Sequence, residues 1–143
     1  MPRPRDSRLF KGLREAAVAG NLAALRSVLA ETVVPFDLAD SDLRTPLSHA
    51  AEAGHADVVE NLVMSGRFHV NYPDRTDRTA LSWAAAEGHE VVVDALLRFQ
   101  QTNVDKPDKH GDNPLAWAAA NGRTEIVRKL LTSRRNIVVD RHD

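Results

Sequence analysis

The chain has 143 residues, 43% hydrophobic and 27% charged, with a net charge of −1, which is one domain's worth of ordinary globular sequence and carries no excess charge favouring nucleic acid or an acidic membrane. Without a cysteine it forms no disulfide, thiol nucleophile or cysteine-ligated metal site. Its apolar runs are too short to span a bilayer, and the basic opening MPRPRDSRLFKGLR lacks the apolar core of a secretory signal, so an intracellular, cytoplasmic home is expected.

One regularity organises the rest. Gly20, Gly54, Gly88 and Gly122 recur every 34 residues, and other columns keep the same register: Thr45, Thr79 and Asn113; Leu47, Leu81 and Leu115; Ala50-Ala51, Ala84-Ala85 and Ala118-Ala119; Val70, Val104 and Val138. A fixed period of this size marks a stacked array. The units run about 7–39, 40–73, 74–107 and 108–141, and together they form a single domain over 1–143.

In the first unit Asp6 or Ser7 caps a helix through Leu9, Leu13, Ala16 and Ala17, with Arg8, Lys11, Arg14 and Glu15 facing outward as an end cap. The second opens a helix at Thr45, whose hydroxyl satisfies a free N–H, with Pro46 at the first helical position. The third has a polar turn at 74–78 and a cap at Thr79, then a short helix burying Leu81, Ala84 and Ala85. Gly88 takes the left-handed position, and a second helix presents Val91, Val92, Ala95, Leu96 and Leu97. The segment from Gln101 to Pro107 leads on, with Val104 inward. The fourth unit repeats the start as Asn113-Pro114. Val138, Val139 and Asp140 read as the beginning of another linker, which leaves Ile126, Val127, Leu130 and Leu131 without a following repeat. Either that repeat tolerates exposure or the chain is a piece of a longer array, and the second is the expectation. The pattern predicts eight short helices in four antiparallel pairs joined by β-turn tips, an all-α solenoid.

The wording of one unit is recognisable. Thr45-Pro46-Leu47-Ser48-His49-Ala50-Ala51-Glu52-Ala53-Gly54-His55 resembles the ankyrin signature T-P-L-H-x-A-A-x-x-G-H, and Asp57-Val58-Val59-Glu60-Asn61-Leu62-Val63 continues it. The resemblance recurs three times clearly, with a degenerate first copy, whereas the W-x2-L-G-x2-Y pattern of tetratricopeptide repeats is absent. The departures are specific. The period exceeds the ankyrin norm of about 33 by one residue, because Arg67-Phe68-His69 fills the space before Val70. Ser48, Ser82 and Ala116 stand where the family has His, which alters its hydrogen-bond ladder between turns. Leu43 and Asp77 replace the turn glycine, which is kept only as Gly111. The longer linker and the words Leu81 to Ala85 are similar to ankyrin arrays of filamentous-fungal proteins, often the sensor ends of large receptors. By the family pattern His55 and His89 are structural.

The resemblance implies a concave surface made of turn tips and first helices. Its contact columns fall on His49, Trp83 and Trp117, and on Glu87 and Asn121, beside turn residues Arg75, Arg78, Lys109 and His110. Trp and Arg are the types most enriched at binding hot spots. The competing account is that both tryptophans fill space between repeats. His49 and His110 lie more than one repeat apart, and Asp42, Glu52, Asp77 and Glu87 read as surface carboxylates, so no metal, cofactor or catalytic set is expected. The leading expectation is a monomeric, non-enzymatic module that binds another protein, with neither nucleic acid nor membrane as partner. A second reading places a small-molecule or catalytic pocket around His49, Trp83, His110 and Trp117, and a third makes the chain a structural segment of a larger receptor. The first requires an open, shallow face with those side chains apart.

Overall fold

The computed structural model describes residues 4–140, with side chains for 7–134. Within them eight helices follow in order: α1 (Pro4–Ala19), α2 (Leu22–Glu31), α3 (Pro46–Ala53), α4 (Ala56–Met64), α5 (Ala80–Glu87), α6 (Glu90–Leu97), α7 (Pro114–Ala120) and α8 (Thr124–Asp140). They pair as α1/α2, α3/α4, α5/α6 and α7/α8. The odd helices pack side by side in one layer and the even helices in a second.

The alanine columns explain how closely the first layer packs. Ala50, Ala51, Ala84, Ala85 and Ala118 are completely buried, and a side chain of one methyl lets neighbouring helix backbones approach. Between the layers Leu47, Leu81, Val58, Val59, Leu62, Val92, Val93 and Leu96 are sealed from solvent. Each such side chain contributes about 1.5–3 kcal/mol relative to exposure.

The hairpins are fixed at both ends by the residues expected to do so. Thr45 Oγ1 accepts from Ser48 N at 3.3 Å, Thr79 Oγ1 from Ser82 N at 3.4 Å and Asn113 Oδ1 from Ala116 N at 2.8 Å. Gly54 ends α3 at φ 90°, a left-handed backbone that costs a residue with a Cβ dearly. Over it lies the ring of His89, whose Nε2–H donates to Glu52 O at 2.7 Å. His55 does the same one unit earlier, donating to Val18 O at 2.9 Å across Gly20. Both histidines thus lock one hairpin to the next. Linkers are tied in the same fashion: Asn71 Oδ1 accepts from Asn103 N at 2.7 Å, and Asp37 accepts from His69 N at 2.8 Å.

The sequence expectations needed four corrections. α1 begins at Pro4, so Asp6 and Ser7 lie inside the helix and neither caps its start. In α6 Val91 is 67% exposed and Val93 fully buried, so the inward face is Val92, Val93, Ala95 and Leu96, with Leu97 partly covered. α8 runs helical to Asp140, where a linker was expected; the side chain of Val138 lies outside the described residues. Finally, Ile126 and Leu130 are buried against the preceding pair, and Leu131 is the exposed member of that set.

Candidate functional site

The candidate site grows from three turns of one design. Asp40, Asp74 and Asp108 each begin a turn closed by their own N–H donating to the carbonyl of Arg44, Arg78 and Asp112, all at 3.0 Å. One carboxylate oxygen of each accepts backbone N–H groups inside the turn: Asp74 Oδ1, for example, takes Thr76 N at 2.8 Å and Arg78 N at 3.0 Å. The missing turn glycines leave a mark here. Leu43 at φ 59° and Asp77 at φ 63° hold the left-handed conformation that Gly111 adopts at φ 83°, a strain of about 1–2 kcal/mol for a residue with a Cβ. Adjacent tips are zipped by Arg75 N donating to Asp42 O and Lys109 N to Thr76 O, each at 2.9 Å.

The other carboxylate oxygen of each turn reaches the first helix. Trp83 Nε1–H donates to Asp74 Oδ2 and Trp117 Nε1–H to Asp108 Oδ2, both at 2.9 Å. In the preceding unit His49 Nε2 meets Asp40 Oδ2 at 3.1 Å, and because a carboxylate only accepts, that nitrogen carries the proton. Burial holds the His49 pKa below its usual value, as do Arg44 and Arg14, while the bond to Asp40 opposes them. For Asp74 burial pushes the pKa up, but the combined hydrogen bonds from Thr76, Trp83 and Arg78 bring it below the usual carboxylate value. Asp108 is likewise lowered, its burial outweighed by bonds from Asp112, Trp117 and His110.

Guanidinium groups fill the spaces between the rings. Arg44 lies 3.9 Å and Arg78 3.7 Å from the Trp83 ring centre, and Arg78 is also 4.1 Å from that of Trp117. Cation–π contacts of this kind contribute about 0.5–2 kcal/mol each, more where water is excluded. The order is Arg44, Trp83, Arg78, Trp117, a stack running across three units. Burial presses the Arg78 pKa downward against the pull of Asp74 and Asp108; arginine nonetheless keeps its charge.

Along this stack runs a groove of ≈ 400 Å³ between turn tips and helices. Arg75, Arg78, Trp83, His110 and Trp117 line it, together with Asp42, Arg44, Thr76, Asp74 and Asp108. Of the remaining contact candidates, Lys109 is exposed on the neighbouring tip and Glu87 at the end of α5. Asn121 donates to Ala86 O at 3.0 Å. His49 is half-buried on Asp40 and does not line the groove, while His110 is exposed at its rim, so the two histidines are not brought together. Both tryptophans are at once space-filling and groove-lining. The residues that sequence reasoning passed over are Asp74 and Asp108, which hold the indoles. Their only trace in the sequence is a recurring spacing, since Asp40/His49, Asp74/Trp83 and Asp108/Trp117 are each nine residues apart.

Stacked helical hairpins with zipped turn tips define a repeat solenoid, and family comparison assigns its kind. The profile described as "Ankyrin repeats (3 copies)" matches residues 67–143, and "Ankyrin repeat" matches residues 42–75. The chain belongs to the ankyrin-repeat family. No curated protein matches it. Ankyrin repeats are generally protein–protein interaction modules, typically scaffolds without enzymatic activity. No helix among the described residues is long and apolar enough to cross a membrane.

Proposed function

We propose that this chain is a non-enzymatic adaptor of the cytoplasm that, as a monomer, binds another protein in the groove between its turn tips and first helices. The observation that supports this is the groove itself, lined by side chains already held in place: two indoles fixed by carboxylates and two guanidinium groups stacked between and against them. Side chains ordered before the partner arrives lose little entropy on association. In this reading Trp83 and Trp117 supply apolar area, Arg75, Arg78, Lys109 and His110 orient the partner, and His49, Glu87 and Asn121 flank the contact.

Because both tryptophans also hold the fold, the test is placed on the exposed rim. Arg75→Glu with Lys109→Glu and His110→Ala changes the groove edge and leaves the Arg–Trp stack in place, although it removes the bond from Arg75 Nε to Ser41 O on the neighbouring tip. Val91→Lys alters an exposed position of α6, in the other helical layer. Quantitative affinity capture from the source cell is expected to recover proteins that the rim variant loses and the α6 variant keeps. If every recovered protein stays with the rim variant, the groove is not the binding face.

A further inference from the structure

The 34-residue register supplies an internal comparison inside the groove. Arg44 and Arg78 occupy equivalent positions, and both stack on Trp83. Arg44 has an ion pair as well as a hydrogen bond: its Nε donates to Ser48 Oγ at 3.1 Å and its Nη2 lies 2.8 Å from Glu52 Oε1. At the position equivalent to Glu52 the next unit has Ala86. Among the described residues Arg78 therefore makes no ion pair. Its Nη2 has only a long bond of 3.5 Å to Ser82 O, and its Nε is buried with no partner. A half-buried guanidinium, held between two indoles, lacks the carboxylate that its twin possesses.

Resting on the groove-binding reading above, we infer that the groove accepts a carboxylate side chain of an acidic partner segment on the edge of Arg78 that lines it. Paired hydrogen bonds from a guanidinium to a carboxylate are among the strongest that side chains form. The indoles on either side hold the guanidinium in place in advance. The nearby acids do not meet this need: Glu52, whose charge reaches Arg78, is paired with Arg44. Asp74 and Asp108 spend their oxygens on turn N–H groups and the indole N–H groups, and Asp42 and Asp112 are exposed on the tips. Arg75, Lys109 and His110 stand exposed on the same rim. A phosphate backbone offers anions too, but Asp42 and Asp112 on those tips disfavour a dense row of them, and a segment with spaced carboxylates fits better.

The two tryptophans of the chain both flank Arg78, so tryptophan fluorescence, excited where Tyr72 does not absorb, reports on this site. The full chain is titrated at low ionic strength with an end-blocked oligoglutamate peptide, and in parallel with oligolysine and oligouridylate. A saturable change with oligoglutamate alone is expected. Ala86→Glu supplies the carboxylate from within. It is expected to weaken the peptide about tenfold or more; because Ala86 is only 5% exposed, its thermal unfolding is measured alongside to show that the fold is kept. Arg78→Gln, which keeps a flat amide between the rings, is a second variant with the same expected loss. Three results overturn the inference: no saturable change with oligoglutamate, unchanged affinity in both variants, or equal binding of oligouridylate. These failures differ from failure of the wider reading, which is read from the rim variant in the capture experiment.

Discussion

Gly54 shows how much one missing Cβ decides. A Cβ there stands 2.7 Å from His89 Nδ1, whereas at Gly122, also left-handed at φ 70°, it meets nothing within 4 Å. Gly54→Ala is therefore expected to combine backbone strain with eviction of the ring that bonds Glu52 O, a loss of roughly 2–3 kcal/mol. Gly122→Ala carries only the strain, about 1 kcal/mol. Urea unfolding of both variants checks this, and equal losses would show that His89 yields freely. At this scale the caps and turn glycines were legible because each acts through its own backbone. The Asp74–Trp83 and Asp108–Trp117 bonds were not, since a spacing of nine follows no helix or strand period. Only the turn geometry brings those partners together.

Among the elements, α6 is where a pattern misled. Val91-Val92-Val93 is a run without periodicity, so it cannot say which valine faces the core; packing against α4, α5 and α8 turns Val93 inward. Val91→Lys is expected to change stability by no more than about 0.5 kcal/mol, as surface substitutions do. Val93→Lys should lose several kcal/mol, because it buries an unpaired charge. Thermal unfolding that ranked them the other way would restore the original face. The ends of α1 and α8 were misjudged for different reasons. Pro4 is compatible with a first helical turn, where its missing N–H costs nothing. After Gly122 the sequence has neither glycine nor proline, so nothing stops α8 where Gly66 and Pro73 interrupt the chain after α4. Arg134, reaching from α8, pairs with Asp105, whose equivalent Asn71 accepts a linker N–H instead.

For the molecule as a whole, acidity acts through the tip face. His49, Asp74 and Asp108 all have pKa values below their ordinary ones of 6.5, 3.8 and 3.8. Each binds its proton more readily when unfolded, so each contributes stability at high pH that is lost on acidification. His49 contributes fully above 6.5 and gives this up as pH falls through its lower folded value. The two carboxylates follow below 3.8. Melting temperature should thus decline in two steps as pH falls, and His49→Gln should flatten the upper one alone. An unchanged upper step in that variant would assign it to another group.

The substantial helix packings all join members of one hairpin or of neighbouring hairpins, so cohesion is local along the stack. The stack therefore resists tension one hairpin at a time, like a chain of links rather than a knot. Drawn from its two ends, it lengthens by instalments, each releasing a 34-residue length that stretches to roughly 110–120 Å. A partner bridging three tips in the groove would clamp those links into one, and so change how the protein yields under load.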